Sequence, residues 1–275
     1  MPRADSLAGR IITAFARTSP AFRPTGGRKP GRSWWRAWTR ITPAFAPSWP
    51  PVWPGALLSD VDLTLADLSN ADLAYMNLTL ADLARANLTG ANLNRAQLVD
   101  AVLTGADLTR TNLPSANLNR AQLVDAVLIR ADLTRTNLPS ANLDGAYATG
   151  ANLNGAQLVD ATLFGADLTD AVLTRANMTE ANLTEANLTL ADLSDANLTG
   201  ANLADADLTR ADLTRANLTR ADLTRANFID VVWSERTRWP TGQWEARMRA
   251  ASEQLRDGRL RVRAEGASDS ARIHA

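Results

Sequence analysis

A hydrophobic side chain returns at every fifth position of this chain from residue 58 to residue 228. Leucine fills 32 of these 35 central positions, and the exceptions are Ala148, Met178 and Phe228. Two residues before the central position, alanine occurs in 31 of the 35 units. An unbroken repeat of this kind is the sequence signature of a solenoid, in which each repeat packs only against its neighbours.

The period of five predicts neither a helix nor a straight strand. In a helix, successive leucines would be carried around the whole surface, and a strand requires alternation every two residues. Within one unit, however, the alanine and the leucine are two residues apart, so an extended segment points both to the same side. The position after the leucine usually holds threonine, or proline at Pro114 and Pro139, and the next residue suits a turn. Each unit therefore predicts one short side and one corner.

Four such sides close a square coil of twenty residues, with leucine and alanine filling its axis. Residues 56–232 would form about nine coils and a rod roughly 40–45 Å long, at about 4.8 Å per coil. The predicted core ladder includes Leu58, Leu78, Leu98, Leu118, Leu138, Leu158, Leu198, Leu218 and Phe228. Ala148 is a gap in this ladder, which is either a cavity that costs about 2–5 kcal/mol or a kink that serves a partner.

The units, which read Ala-(Asp/Asn)-Leu-Thr-x as in "ADLTRANLTRADLTRAN", resemble those of the pentapeptide-repeat proteins. The resemblance covers 175 of the 275 residues. It implies an all-β fold, the right-handed quadrilateral β-helix. Most members of the family have no known activity. The best understood members bind bacterial DNA gyrase by resembling B-form DNA, which protects the enzyme from quinolones or inhibits it.

Composition argues against most catalytic chemistry. The chain has no cysteine, and its single histidine, His274, is the penultimate residue. Nucleophilic and zinc chemistry therefore lack their usual side chains, and we expect no enzyme activity, no catalytic residue, no cofactor and no metal site. No run of 18 apolar residues and no secretory signal is found, so the expected location is the cytoplasm.

The formal net charge of zero hides three unequal regions. Residues 1–55 carry a net charge of +8, residues 56–230 carry 22 acids and 11 arginines, and residues 231–275 carry +3. A rod of this length that imitated DNA fully would present roughly 25 negative charges, because B-DNA carries one per about 1.7 Å. One side of the predicted coil has no acid at its outward position, and Arg210, Arg215, Arg220 and Arg225 form a positive collar. These features favour a solvated surface over a DNA mimic, and no direct nucleic-acid binding by the repeat is expected.

An internal duplication also weakens any function that is specific to one face. Residues 92–116 recur at 117–141, and the copies differ at only two positions. The copy is 25 residues long, so it moves each outward side chain onto the neighbouring side of the coil. Expansion limited mainly by core packing explains this part of the chain.

Residues 233–263 predict a C-terminal cap over the end of the coil. Trp233 falls on the next central position, Pro240 breaks the chain, and Thr241 can cap a helix from about Gln243 to Arg256. An apolar stripe on that helix, a turn and a short strand through Leu260 and Val262 complete the prediction. The side chains assigned to the cap are Trp233, Trp239, Pro240, Trp244, Met248 and Leu255. The alternative is a dimer interface, so the chain is expected to be a monomer or a C-terminally paired dimer.

Residues 1–55 form a basic arm rich in proline, tryptophan and arginine, which we expect to be disordered, as we do the tail 264–275. The coincidence of charge and aromatic rings raises the hypothesis of an anchor for an anionic membrane surface or for nucleic acid. Another interpretation is a mis-assigned start. The sequence thus predicts a protein-interaction scaffold whose partner is unknown. A gyrase-binding DNA mimic and a membrane-associated repeat protein, which should lose liposome binding when residues 1–55 are deleted, are the alternatives.

Overall fold

The computed structural model describes residues 58–263, and most of them form a rod of stacked four-sided coils. The residue before each central position makes a parallel β-bridge with the residue twenty positions later, from Asp62–Asp82 to Asp212–Val232. Each five-residue unit is therefore one side of a coil, and four units complete it. The arm 1–55 and the tail 264–275, including His274, lie outside the described residues.

Three hydrogen bonds show how one unit is held. The Leu63 N–H donates to the Asp82 carbonyl at 2.7 Å, and the Leu65 N–H donates to the Ala84 carbonyl at 3.0 Å, so both bonds join successive coils. The Ala66 N–H donates to the Leu63 carbonyl at 3.0 Å and closes the corner. Leu65, the third residue of this turn, has a φ of 59°, as in a type II turn. The same left-handed backbone occurs at every corner, although only 7 of the 35 corner residues are glycine.

The axis of the rod is filled by the two inward side chains of each unit. All nine central residues assigned to the core ladder are at most 2% exposed. Thr111 and Thr136 take the place of the usual alanine, and both are fully buried. Their hydroxyls donate to the carbonyls of Leu88 and Leu113 at 2.8 and 3.0 Å, so each buried hydroxyl has a partner.

The coil keeps its register at Ala148. The Ala148 N–H donates to the Asp167 carbonyl at 2.7 Å, and the Leu128 N–H one coil below donates to the Tyr147 carbonyl at 2.7 Å. These lengths equal those at leucine positions such as Leu153. The missing leucine therefore leaves the backbone of the coil unchanged.

The C-terminal segment 232–263 contains a helix and a small antiparallel sheet. Its elements are β1 (Val232–Trp233), α1 (Gly242–Ala251), β2 (Ser252–Gln254) and β3 (Leu260–Val262). The strand order is β1-β3-β2, so β3 lies between the end of the repeat and β2. Thr241 caps α1, since its hydroxyl accepts the Trp244 N–H at 3.3 Å.

The helix ends at Ala251, so the prediction that it continues to Arg256 is wrong. The Ser252 hydroxyl donates to the Met248 carbonyl at 2.6 Å and accepts the Trp233 Nε1–H at 2.9 Å. Ser252 is thereby fixed to the end of the repeat, and the backbone from Ser252 onward pairs with β3 instead of continuing the helix. Leu255 consequently lies in the turn between β2 and β3, where its carbonyl accepts the Gly258 N–H at 3.1 Å.

Aromatic rings lie at the C-terminal end of the axis. Trp233 and Trp239 are buried and meet edge to face at a centroid distance of 5.5 Å. Phe228 contacts Trp239 and Trp244 at 6.0 and 5.9 Å. Asn217 pairs with Arg238 rather than with residue 237, so one extra residue precedes the position of Trp239. The repeat therefore ends in a shifted register with large rings in place of leucine.

Candidate functional site

The outward residue before each central position has a structural role that the sequence analysis missed. Its side-chain oxygen accepts the backbone N–H two residues later, for example Thr64 N–H to Asp62 Oδ1 at 3.0 Å and Thr184 N–H to Asn182 Oδ1 at 3.1 Å. Asp and Asn favour such local bonds, and they fill 26 of the 35 outward positions. That enrichment was the available signal. The primary role of these acids and amides is therefore to stabilise the corners.

One side of the rod carries only amides at its outward positions over eight successive coils. We call it the amide face, and its residues are Asn77, Gln97, Asn117, Asn137, Gln157, Asn177, Asn197 and Asn217. Amides occupy 18 of the 34 outward positions from residue 62 to residue 227, yet all eight of those on this side. They hydrogen-bond from coil to coil, as in Asn137 Nδ2–H to Asn117 Oδ1 at 2.9 Å and Asn177 Nδ2–H to Gln157 Oε1 at 3.2 Å. The amide face is a continuous uncharged ladder.

Charge is distributed unevenly along the rod. Residues 141–209, the acidic belt, hold ten acidic side chains and one arginine, a net charge of −9. Residues 85–140 hold six arginines and four acids. The average charge of the repeat therefore conceals a strongly acidic region beside a weakly basic one.

Ion pairs at the corners neutralise part of this charge. Arg120 binds Asp100 at 2.6 Å and Arg215 binds Asp195 at 2.5 Å, in each case one coil apart, and Arg225 binds Asp205 in the same way. These arginines hydrogen-bond to the carboxylates and lower the pKa of Asp100, Asp195 and Asp205. Two of the four arginines of the predicted collar are thus engaged with acids of the belt.

Three large apolar side chains are exposed on two neighbouring sides of the rod. Ile129 and Tyr147 belong to units on the same side, which the Val127–Tyr147 bridge joins, and Phe164 lies at the corner that leads into this side one coil later. Tyr147 is 52% exposed, Phe164 43% and Ile129 37%, and they lie on three successive coils. Glycine occupies the corners at Gly145 and Gly150, on either side of Tyr147. We call these three residues the aromatic patch.

Of the C-terminal residues singled out from the sequence, Trp233, Trp239 and Met248 belong to the buried core and Trp244 packs against it, whereas Pro240 and Leu255 are not part of this cluster. Trp233, Trp239 and Met248 are buried, whereas Pro240, Trp244 and Leu255 are half-buried. Within residues 58–263, no group of three His, Cys, Asp or Glu side chains is placed to hold a metal ion. No helix in this range has the length and apolar character needed to cross a membrane.

Comparison with known proteins agrees with this geometry. The family model described as Pentapeptide repeats matches residues 55–83, 81–120, 116–155, 156–195 and 191–229. No curated protein matches the chain.

Several solved structures are similar to the chain. HetL from the cyanobacterium Nostoc sp. strain PCC 7120, a pentapeptide repeat protein involved in heterocyst differentiation regulation, is 31% identical over 78% of this chain and 99% of its own, with a TM-score of 0.45. QnrB1, a plasmid-mediated fluoroquinolone resistance protein, is 18% identical over 64% and 80%, with a TM-score of 0.46. Rfr23 from the cyanobacterium Cyanothece 51142 is 33% identical over 39% and 63%, with a TM-score of 0.27. Since the family model matches the repeat along its whole length, the chain belongs to the pentapeptide repeat family, whose fold is a right-handed quadrilateral β-helix.

Proposed function

We propose that this protein is a non-enzymatic scaffold that binds another protein along the side of its rod, with residues 233–263 as the cap of its C-terminal end. The observation that carries the proposal is the aromatic patch. Exposed aromatic rings on a rigid surface are enriched in protein–protein interfaces, where they contribute much of the binding energy. Tyr147 is 52% exposed and can therefore contact a partner.

A paired substitution tests this role. The variant Tyr147→Ser with Phe164→Ser removes both rings without touching an inward side chain, so the coil should keep its stability. The matched control is Leu190→Ser, which also removes an exposed apolar side chain (43% exposed) but lies outside the patch. Cross-linking in native extract followed by mass spectrometry should recover a protein with the wild type and the control that is lost with the double variant. Equal recovery by all three would contradict the proposal.

The second candidate is binding of DNA gyrase through DNA mimicry, and the acidic belt favours it. The belt spans about 17 Å of the axis at about 4.8 Å per coil. The pairing of Asp195 and Asp205 with arginines outside the belt leaves a net charge of −7. That is one charge per roughly 2.4 Å, against one per about 1.7 Å in B-DNA. Over this part of the rod the charge density approaches that of DNA, although the rod as a whole does not.

A supercoiling assay with purified gyrase separates the two candidates. If the belt is a DNA mimic, the wild type inhibits supercoiling, and the variant Asp160→Asn, Glu180→Gln, Glu185→Gln loses that inhibition. The control variant Asp72→Asn, Asp82→Asn, Asp222→Asn removes the same charge outside the belt and should still inhibit. Absence of inhibition by the wild type would exclude the mimic and leave the scaffold.

A further inference from the structure

We propose that the amide face is a self-association surface through which two copies of this chain pack side by side. The proposal concerns a different surface from the aromatic patch, and the amide face crosses the acidic belt at Gln157, Asn177 and Asn197. It begins from the uniformity of the amide face, since the other three sides carry eleven aspartates at the equivalent outward positions and this side carries none. A face without charge can approach an identical face without repulsion.

The spacing of the ladder selects a second copy as the occupant. The amides recur once per coil, at about 4.8 Å, and a second rod presents the same groups at the same interval. Ladders of Asn and Gln are known to add to the interfaces between paired sheets that carry identical side chains in register. Each amide forms hydrogen bonds within its own rod, and Asn197 uses both of its N–H groups there, to Asn177 Oδ1 at 3.2 Å and to Thr179 Oγ1 at 2.9 Å. Asn137 donates within residues 58–263 only to Asn117 Oδ1, at 2.9 Å, so one of its two N–H groups remains for the opposite ladder.

The two edges of the amide face are complementary to each other. The first edge consists of the corner residues just before the face (75, 95, 115 and so on to 215), and the second consists of the corner residues five positions later. A two-fold axis parallel to the rods places the first edge of one copy against the second edge of the other, in the same coil. Arg95 then faces Asp100, and Arg175 faces Glu180. Neither Arg175 nor Glu180 has an ion-pair partner in residues 58–263.

The apolar residues at these edges favour the same arrangement. Tyr75 and Leu80 are 47% and 55% exposed, and the parallel two-fold axis brings one against the other. An antiparallel arrangement centred on the middle of the ladder would instead place them against Arg215 and Arg220. In the parallel dimer one pair has like charge, Arg215 with Arg220, and there Arg215 is already bound to Asp195 at 2.5 Å.

The size of the face sets the expected strength. Eight coils give a length of about 38 Å, and one side with its two corners is about 14 Å wide. The buried area is then roughly 500 Å² per copy, or roughly 1,000 Å² in total, near the lower limit for a specific interface. An interface of this size is typical of a weak, reversible dimer rather than an obligate one.

The test is the oligomeric state of the full 275-residue chain, measured by sedimentation velocity over a range of concentrations. The variant Asn137→Asp with Asn177→Asp places carboxylates opposite their own copies and should weaken self-association about a hundredfold. Aspartate is a native residue at the equivalent position in other units, for example Asp132 and Asp192, so the variant should fold. The matched control Asn142→Asp with Asn182→Asp adds the same charge on a neighbouring side and should dimerise like the wild type.

A charge exchange then identifies the arrangement. Arg175→Glu alone and Glu180→Arg alone should each weaken the dimer, and the double variant should restore it. A monomeric wild type would overturn the proposal, as would a dimer that survives in the variant with Asn137→Asp and Asn177→Asp, or equal weakening in the control. A dimer that depends on residues 233–263 instead would assign self-association to the C-terminal segment. A further outcome is loss of the dimer in the variant with Asn137→Asp and Asn177→Asp, but no restoration when Arg175→Glu and Glu180→Arg are combined. That outcome would replace the parallel arrangement by the antiparallel one.

Discussion

The coils of the repeat and the C-terminal segment 232–263 are stabilised in opposite ways. In the repeat, successive units make the same type of coil-to-coil hydrogen bond and bury one side chain, usually alanine, beside another, usually leucine, so most units are interchangeable. In the C-terminal segment each contact occurs once, as in the chain from Trp233 Nε1 through the Ser252 hydroxyl to the Met248 carbonyl. Because the units are alike, the rod can be lengthened by adding units. The end of the rod instead requires specific side chains, each of which fits a single position.

The largest expected effect comes from substituting Trp233→Ala. Trp233 is fully buried and hydrogen-bonded to Ser252, and loss of a buried aromatic side chain costs about 3–5 kcal/mol. The matched substitution within the repeat, Leu158→Ala, should cost about 2–5 kcal/mol. Guanidinium denaturation measures both costs. In addition, hydrogen exchange should show lost protection in residues 242–262 for Trp233→Ala only. Equal protection in both variants would mean that the segment does not depend on its contact with the repeat.

The substitution Ala148→Leu tests how interchangeable the units are. If the space that leucine fills elsewhere is open at Ala148, the substitution should stabilise the protein by about 0.5–2 kcal/mol, because it restores the common residue. The melting temperature reports the change. A lower melting temperature would show that the surrounding side chains have closed over this position.

Gly165→Ala tests whether the left-handed corners depend on glycine. Gly165 has a φ of 61°, and an added Cβ would meet no heavy atom within 4 Å. The substitution therefore adds no steric clash and changes only the free energy of holding the backbone in the left-handed conformation. Alanine in this region costs about 1–2 kcal/mol. Thermal unfolding should show a loss of that size. No loss would indicate that the coil-to-coil hydrogen bonds impose this conformation on any residue at little cost.

The smallest effect concerns the ion pairs at the corners. Hydrogen bonds from Arg120, Arg215 and Arg225 lower the pKa of their aspartate partners in the folded protein. An acid with a lower pKa in the folded state stabilises the fold above its unfolded pKa, about 3.9, and this contribution is lost as the pH falls through the folded value. Stability should therefore decrease below about pH 4.

The variant Asp100→Asn, Asp195→Asn, Asp205→Asn should show less of this decrease in urea titrations at several pH values. High salt should reduce the difference between the variant and the wild type, since these pairs are exposed. An identical pH dependence in both proteins would mean that the pairs do not persist in solution.

The sequence predicted the repeat more completely than its end. The positions of the leucines and alanines determine which side chains face the axis, and the structure buries the nine predicted ladder residues. The helix was predicted five residues too long at its C-terminal end because the stripe through Trp244, Met248 and Ala251 continues to Leu255. The bond from Trp233 to Ser252 that stops the helix joins residues 19 positions apart, which no local pattern reveals.

The surface was predicted least well. The absence of acids on one side follows from the sequence and the coil length, whereas the amide ladder depends on hydrogen bonds between residues twenty positions apart, such as Asn117 and Asn137. The average charge of the repeat likewise obscured the acidic belt. Surface properties depend on which residues neighbour each other along the rod, whereas the pattern within one unit is enough to predict which side chains face the axis.

Each five-residue unit turns the chain by one quarter of a circle. The number of units therefore determines how the C-terminal segment is oriented relative to the first coils. A relative that is longer by one unit would keep its core, but its C-terminal segment would be rotated by a right angle with respect to the first coils. A relative longer by four units would keep the orientation and be longer by one coil. Changes in length by multiples of five are therefore permitted by packing, and only multiples of twenty preserve how the two ends of such a rod are presented to a common partner.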